Sequence, residues 1–453
     1  MTISAAILAV IAAALYSFSP LAVWATILLG LLLWAASRDL PSGERRWFLS
    51  IAVFALGLRY AALAMLPLLA ANGAHEFRTF FGDDFYNIQR SIWLHHLIAG
   101  IPIAPWDAFD AFQPIAGRTG YQYVLAFLHL LVGESPYGVL MVNVVLHAAA
   151  VVLLYRIVRR GLGADAALAG AALLWFYPTL FAWSVSALKE PMQLLLTTVA
   201  LVAVIEACRA ATWPRRLAAS AIAAVALLAI FPLRSGAMAI LIAGLVAGLV
   251  LRIATYRSWT FAAAVGVASI ALATVLTPPR LMRLMQPELQ LAVKRHLGHV
   301  LTAGDSYKLF DDRVYFEFLM AKSEAERQRV RTLSPGSAAT FLARAAIAFL
   351  VEPRPASMTS MQWLAVVPQQ IAWYAAMAFA IPGIVVALRR DALLACLLFG
   401  MVVGGVAVAA PNSGNLGTLI RHRDMISPFV FVLAGAGLVA CADAIGRRAM
   451  RHA

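Results

Sequence analysis

Charge is what this chain has least of. Only 13% of its 453 residues are Asp, Glu, Lys or Arg, about half of the roughly 25% found in a soluble domain. With 62% hydrophobic residues and a mean hydropathy of +0.82, no water-soluble fold could cover the apolar surface, so the solvent is a bilayer. Cysteine is scarce as well. Cys208, Cys396 and Cys441 lie in or at the ends of apolar runs, none in a metal-type spacing, which excludes a disulfide framework. Acidic residues number 22 against 36 basic ones, a net charge of +14. The chain has no basic tail or stripe of the kind nucleic acid requires. Its arginines punctuate the ends of apolar runs, as the positive-inside rule and anionic headgroups predict.

A spanning helix needs about 20 mostly apolar residues. Candidate spans are 3–18, 20–37, 47–70, 136–158, 165–183, 190–208, 217–233, 236–252, 259–277, 362–388, 392–410 and 425–445, twelve in all. The start of the chain lacks a basic n-region, and a second apolar run follows the first at once. Residues 1–46 therefore read as a transmembrane hairpin rather than a cleaved signal. Residues 47–445 form the core and 446–453 a tail. Arg38, Arg45, Arg46, Arg156, Arg159, Arg160, Arg209, Arg215, Arg216, Arg252, Arg257, Arg389, Arg390, Arg447, Arg448 and Arg451 all fall on one side of a twelve-span arrangement. That side is cytoplasmic. Both termini are then inside, and the long loops 71–135 and 278–361 face outward.

Amphipathic interfacial helices are expected in both outer loops. In 84–99, Phe85, Ile88, Ile92 and His96 recur at helical spacing, and 105–112 can form a second short helix. Residues 119–132 are apolar but too short to span comfortably, which suits a half-inserted helix. In the second loop, 281–300 and 314–331 are amphipathic, and 337–351 reads as an interfacial helix ended by Glu352-Pro353-Arg354-Pro355.

Chemistry concentrates in the outer loops. Asp83 and Asp84 stand together in Phe-Gly-Asp-Asp-Phe-Tyr. Adjacent side chains on a helix diverge by roughly 100°, so one can face a cleft while the other holds the loop. A like charge and a low-dielectric surface both raise a carboxylate's pKa, which suits a general base. The alternative for Asp83 is a helix cap. Tyr86 and His95 stand near the pair as substrate contacts or interface anchors. Trp106 can stack on a sugar face while Asp107 and Asp110 bind its hydroxyls, or it can anchor in the interface. Arg118, which follows Gln113 and precedes Tyr121 and Tyr123, can pair with an acid or a phosphate. Lys189-Glu190 sits at a turn between spans, either neutralising itself or placing Lys189 on a phosphate. Arg234 interrupts an apolar stretch and needs an anion or snorkels. Arg421 and Arg423 break the orientation trend and match phosphate geometry with paired donors, with pairing to Asp424 as the alternative. A Walker loop, an HExxH, a CxxC array and a Gly-x-Ser-x-Gly elbow are all missing.

The motif Gly82-Asp83-Asp84-Phe85-Tyr86 in the first large outer loop resembles the GT-C-type integral-membrane glycosyltransferases. So do Thr119-Gly120-Tyr121-Gln122-Tyr123, Gly133-Glu134-Ser135, Asn143, Tyr155-Arg156, Phe176-Tyr177-Pro178, Lys189-Glu190 and the stretch Arg421–Pro428. The resemblance covers roughly 47–445 and is strongest over 80–205. It implies an all-α polytopic fold and a polyprenyl-phosphate-linked sugar donor, as in dolichyl-phosphate-mannose-protein mannosyltransferases and aminoarabinose transferases. It further implies Asp83, then Asp84, as the base, with Lys189, Arg234, Arg421 and Arg423 toward the phosphate. Glu190 remains a substrate-binding candidate. Some relatives use a divalent cation, Mg or Mn, at the acidic motif and others do not; two acids alone do not make a site, and no metal ligand is assigned. The expected protein is an inner-membrane glycosyltransferase working at the periplasmic face by inversion, with a glycan, lipid or protein acceptor, membrane lipids around it and no nucleic-acid partner. A polymerase or ligase of O-antigen or capsule glycans, using polyprenyl-pyrophosphate substrates, is the first alternative. A lipid or sugar transporter or flippase is the second, although transporters place polar breaks near the midplane.

Overall fold

The computed structural model describes residues 16, 19–70, 79–112, 120–255, 278–302, 307–354 and 366–452. Among them are nineteen α-helices and no strand. The all-α expectation holds for a physical reason: in lipid, a helix satisfies every backbone group within its own segment. Nine of the described helices are long and apolar enough to cross a membrane, and two bent pairs would raise that to 11. Ten of the twelve expected spans fall on these helices. The span expected at 259–277 and nearly all of 3–18 lie outside the described residues.

The chain divides into two compact units, Met1–Met238 with Cys441–Ala453, and Ala239–Ala440. The first unit contains α1 (Pro20–Ser37), α2 (Ser42–Ala70), α3 (Gly82–Ala99), α4 (Pro105–Phe112) and α5 (Gly120–Val132). It continues with α6 (Pro136–Leu162), α7 (Ala164–Phe176), α8 (Pro178–Ser184), α9 (Glu190–Arg209) and α10 (Trp213–Leu233). The helix α6 is its centre: it packs against α1, α7 and α9 and buries residues around its whole circumference, Asn143 and His147 included.

The span expected at 165–183 is broken in the structure. Its two halves, α7 and α8, meet at a bend of 65°. Pro178 lacks the N–H that would continue the helix, and Tyr177 before it is held extended at φ −62°, ψ 124°. Arg59, fully buried on α2, crosses the bend. Its Nη2 donates to Trp175 O at 3.0 Å and its Nε to Ser184 Oγ at 2.7 Å. The rings of Trp175 and Phe181 lie 5.1 and 4.8 Å from the guanidinium carbon, close enough for cation–π attraction.

The chain runs on through α11 (Ser235–Thr255), α12 (Pro278–Thr302), α13 (Asp312–Met320), α14 (Glu324–Arg331) and α15 (Pro335–Val351). Then follow α16 (Val367–Arg390), α17 (Ala392–Ala409), a 3-10 turn at Ala410–Asn412, α18 (Leu416–Arg423) and α19 (Ser427–His452). The amphipathic stretch expected at 314–331 is two helices, α13 and α14, rather than one. The expected interfacial helix at 337–351 is α15, and it joins α14 at a bend of 74°.

Two glycine pairs set a helix crossing in the second unit. Gly244 and Gly248 on α11 face Gly400 and Gly404 on α17. A Cβ on Gly400 would sit 2.2 Å from Gly248 N, and one on Gly404 would sit 2.4 Å from Gly244 N. Both pairs are Gly-x-x-x-Gly, which lets backbones touch where lipid offers no hydrophobic drive.

Candidate active site

The acidic pair opens α3 and splits its work. Asp83 is exposed, whereas Asp84 is fully buried. Asp84 Oδ1 accepts the N–H groups of Phe81 at 3.1 Å and Phe85 at 2.9 Å; the first is a donor that a helix start leaves unpaired, and the second is shared with Phe81 O at 3.4 Å. The capping role considered for Asp83 therefore belongs to Asp84, which reaches back from the third helical position. Its other oxygen, Oδ2, is buried with no hydrogen-bond partner among the described residues. Burial pushes the Asp84 pKa up, and the bonds from Thr79 and the backbone oppose the rise.

One turn along α3, Asn87 shares the face of Asp84. Its Nδ2 donates to Ala187 O at 3.0 Å, and its Oδ1 accepts from Gln122 Nε2 at 3.2 Å. Asn143 on α6 donates from Nδ2 to Ser186 O at 2.5 Å and Leu188 O at 2.7 Å. Three successive carbonyls of the link between α8 and α9 are thus held by two asparagines from different helices. The link leads directly into Lys189 and Glu190 at the start of α9.

Arg234 approaches from the end of α10, where its Nη1 lies 3.6 Å from Glu190 Oε1. Just before it on α10, Pro232 packs against Gly120 at the start of α5; a Cβ there would meet Pro232 at 2.8 Å. Tyr121, next on α5, is buried. Burial pushes its hydroxyl pKa up, and the neighbouring carboxylates of Glu190 and Asp84 add to the rise. The first unit therefore brings together Asp83, Asp84, Asn87, Tyr121, Asn143, Lys189, Glu190 and Arg234.

The remaining candidates are placed differently. Tyr86 is exposed, and its ring lies 5.0 Å from the buried Arg90 guanidinium. Trp106 is 77% exposed, its ring set edge-on to Phe109, and Asp107 is half-buried beside it. Arg118 lies outside the described residues. Arg421 and Arg423 belong to the second unit. Arg421 is half-buried on α18. Arg423 is buried, with Nε on Phe349 O at 3.0 Å, Nη1 on Gln370 Oε1 at 2.8 Å and Nη2 on Glu352 O. Its guanidinium carbon is 5.1 Å from the Trp373 ring. These partners make Arg423 a pin between α15, α16 and α18. As for a divalent cation at the acidic motif, no third Asp, Glu, His or Cys ligand joins Asp83 and Asp84 among the described residues.

Sequence reasoning passed over Asn87, Gln122 and Arg90 as site residues. Asn87 was legible, since it follows Asp84 by three positions and shares its helix face.

Residues 119–278 match the family model of the dolichyl-phosphate-mannose-protein mannosyltransferases. The matched stretch holds Tyr121, Asn143, Lys189, Glu190 and Arg234, and it begins after Asp83 and Asp84. The crystal structure of ArnT from Cupriavidus metallidurans in the apo state aligns with 87% of this chain and 78% of that one, at 14% identity and a TM-score of 0.38. No curated protein matches the chain.

Proposed function

We propose that this chain is a membrane glycosyltransferase of GT-C type, a reading supported by the family match over residues 119–278, and that it moves a sugar from a polyprenyl-phosphate donor to a hydroxyl acceptor at the periplasmic face. The observation that carries this reading is the convergence, in one unit, of an acidic helix start with Lys189, Glu190 and Arg234. The orientation rests on the arginine-rich ends of the opposite loops. Asp83 takes the acceptor hydroxyl's proton as its oxygen attacks the anomeric carbon. The bond from that carbon to the phosphate oxygen breaks, and the polyprenyl phosphate departs with the electron pair. Lys189 and Arg234 stabilise the charge growing on the phosphate. One displacement inverts the anomeric centre. Asp84 holds the start of α3, so that Asp83 is aimed by the backbone rather than by a flexible loop.

The test is transfer from a polyprenyl-phosphate sugar by purified protein in liposomes. Asp83→Asn should lower turnover by roughly 10²–10⁴-fold and leave membrane insertion intact. If Asp83→Asn and Asp84→Asn both insert and still transfer sugar at the wild-type rate, the acid–base reading fails.

A further inference from the structure

Away from the acidic pair, two histidines and a glutamate gather. His95 and His96 follow one another late in α3, and Glu134 lies in the link between α5 and α6. One potential ligand atom from each lies within 4.8 Å of the other two. His96 Nε2 is 2.5 Å from Glu134 Oε1, and His95 Nδ1 is 3.4 Å from the same oxygen. A simple ion pair accounts for His96. It leaves His95 Nδ1 buried, beside a carboxylate, with no hydrogen-bond partner among the described residues. Two imidazole nitrogens and a carboxylate oxygen converging at this spacing are the donor set that zinc takes, at ligand distances near 2.0–2.2 Å.

The surroundings hold the three in place. Gly133 turns the chain at φ 84°, and its N–H bonds to His129 O at 2.8 Å. On the other side of Glu134, Ser135 N–H donates to His129 Nδ1 at 3.2 Å, and Ser135 Oγ lies 2.7 Å from Ser19 Oγ. His129 Nε2 in turn lies 3.2 Å from Ser91 Oγ on α3, one turn before His95. Glu134 is therefore clamped on both flanks, by a histidine that also contacts the helix carrying the other two ligands. These contacts fix the backbone that carries Glu134 against α3. The side chains of His95, His96 and Glu134 are 13%, 24% and 39% exposed, so an ion can enter and a fourth ligand has room.

We propose that His95, His96 and Glu134 form a zinc site that ties the end of α3 to the α5–α6 link, with its fourth position open to water or an anion. It is separate from the acidic pair, and it stands whether or not the transfer reaction assigned above is correct.

The experiment uses full-length protein purified without a histidine tag and stripped with a chelator. Zinc is titrated by calorimetry, and cobalt(II) is followed by its visible absorption. One equivalent of zinc should bind and raise the thermal midpoint, and cobalt should give the intense bands of four-coordinate geometry. His95→Gln, His96→Gln and Glu134→Gln should each weaken zinc by more than the roughly 10–100-fold typical of losing an outer partner. His129→Ala should fall within that range, and Asp83→Asn should bind zinc like the wild type. No uptake by the wild type, or uptake that persists unchanged in the three ligand variants, would overturn the site. Glu134→Gln keeps the side chain's size and neutral hydrogen bonding, so it reports on the ligand even if a histidine variant misfolds.

Discussion

Asp84 is asked to do two things that oppose each other. Its Oδ1 caps α3, which favours the charged carboxylate, and its burial favours the neutral acid. Burial wins, so the folded state holds the Asp84 proton more tightly than the unfolded chain does. A group of this kind contributes stability that is complete below its ordinary value of 3.8. That contribution is lost as pH rises through the raised value. Thermal unfolding of wild type and Asp84→Asn across that window should show the wild type losing ground to the variant as pH rises. Asn caps a helix about as well as Asp and does not titrate, so a difference independent of pH would mean that burial has no such effect. Asp84→Ala should cost about 0.5–2 kcal/mol at low pH through loss of the cap, and less as pH rises through the raised value. Asp83 offers the contrasting case. It is exposed, so Asp83→Asn should change stability by no more than about 0.5 kcal/mol. Loss of transfer by that variant could then be read as chemistry rather than unfolding.

Between elements, the link from α8 to α9 is the part that turns separate helices into a site. Its carbonyls at Ser186, Ala187 and Leu188 belong to no helix, and in a membrane such groups need partners. Asn143 and Asn87 supply them. Asn143→Ala leaves two of these carbonyls without that donor, at a cost of roughly 1–3 kcal/mol for each buried group left unsatisfied. It also releases the segment that aims Lys189 and Glu190. The expected result is a lower thermal midpoint together with a raised KM for the lipid-linked donor, measured by initial rates over a donor series. An unchanged KM would mean that the clasp supports the fold alone. The bend between α7 and α8 shows the same logic with a cation. Arg59 satisfies Trp175 O and Ser184 across a break that Pro178 imposes, yet in the sequence it is a lone arginine inside an apolar run. Its partners are more than a hundred residues away in the chain, and periodicity carries no trace of them.

Over the whole molecule, the features set by local composition were legible and those set by distant pairing were not. Apolar run length placed ten spans, and Asp83-Asp84, Lys189-Glu190 and Arg234 stood out because polar groups are conspicuous in a greasy chain. Arg423 stood out for the same reason, and the structure gives it carbonyls and Gln370 as partners; a cation's prominence in sequence says nothing of whether its anion is a ligand or the protein itself. The Gly-x-x-x-Gly pairs of α11 and α17 were written in the chain, but their meeting depends on two helices more than a hundred residues apart. Orientation is a property of the entire charge pattern and can be tested with a native probe. Cys208 is exposed near the end of α9 beside Arg209, at an end the positive-inside rule assigns to the cytoplasm. Trp106, on the loop that carries the acidic pair, is 77% exposed. A membrane-impermeant maleimide added to intact cells should label Trp106→Cys and leave Cys208 unmodified until the membrane is opened, with Cys208→Ala as the control. Labelling of Cys208 from outside, with Trp106→Cys protected, would turn the molecule over and set the acidic pair where no periplasmic acceptor could reach it.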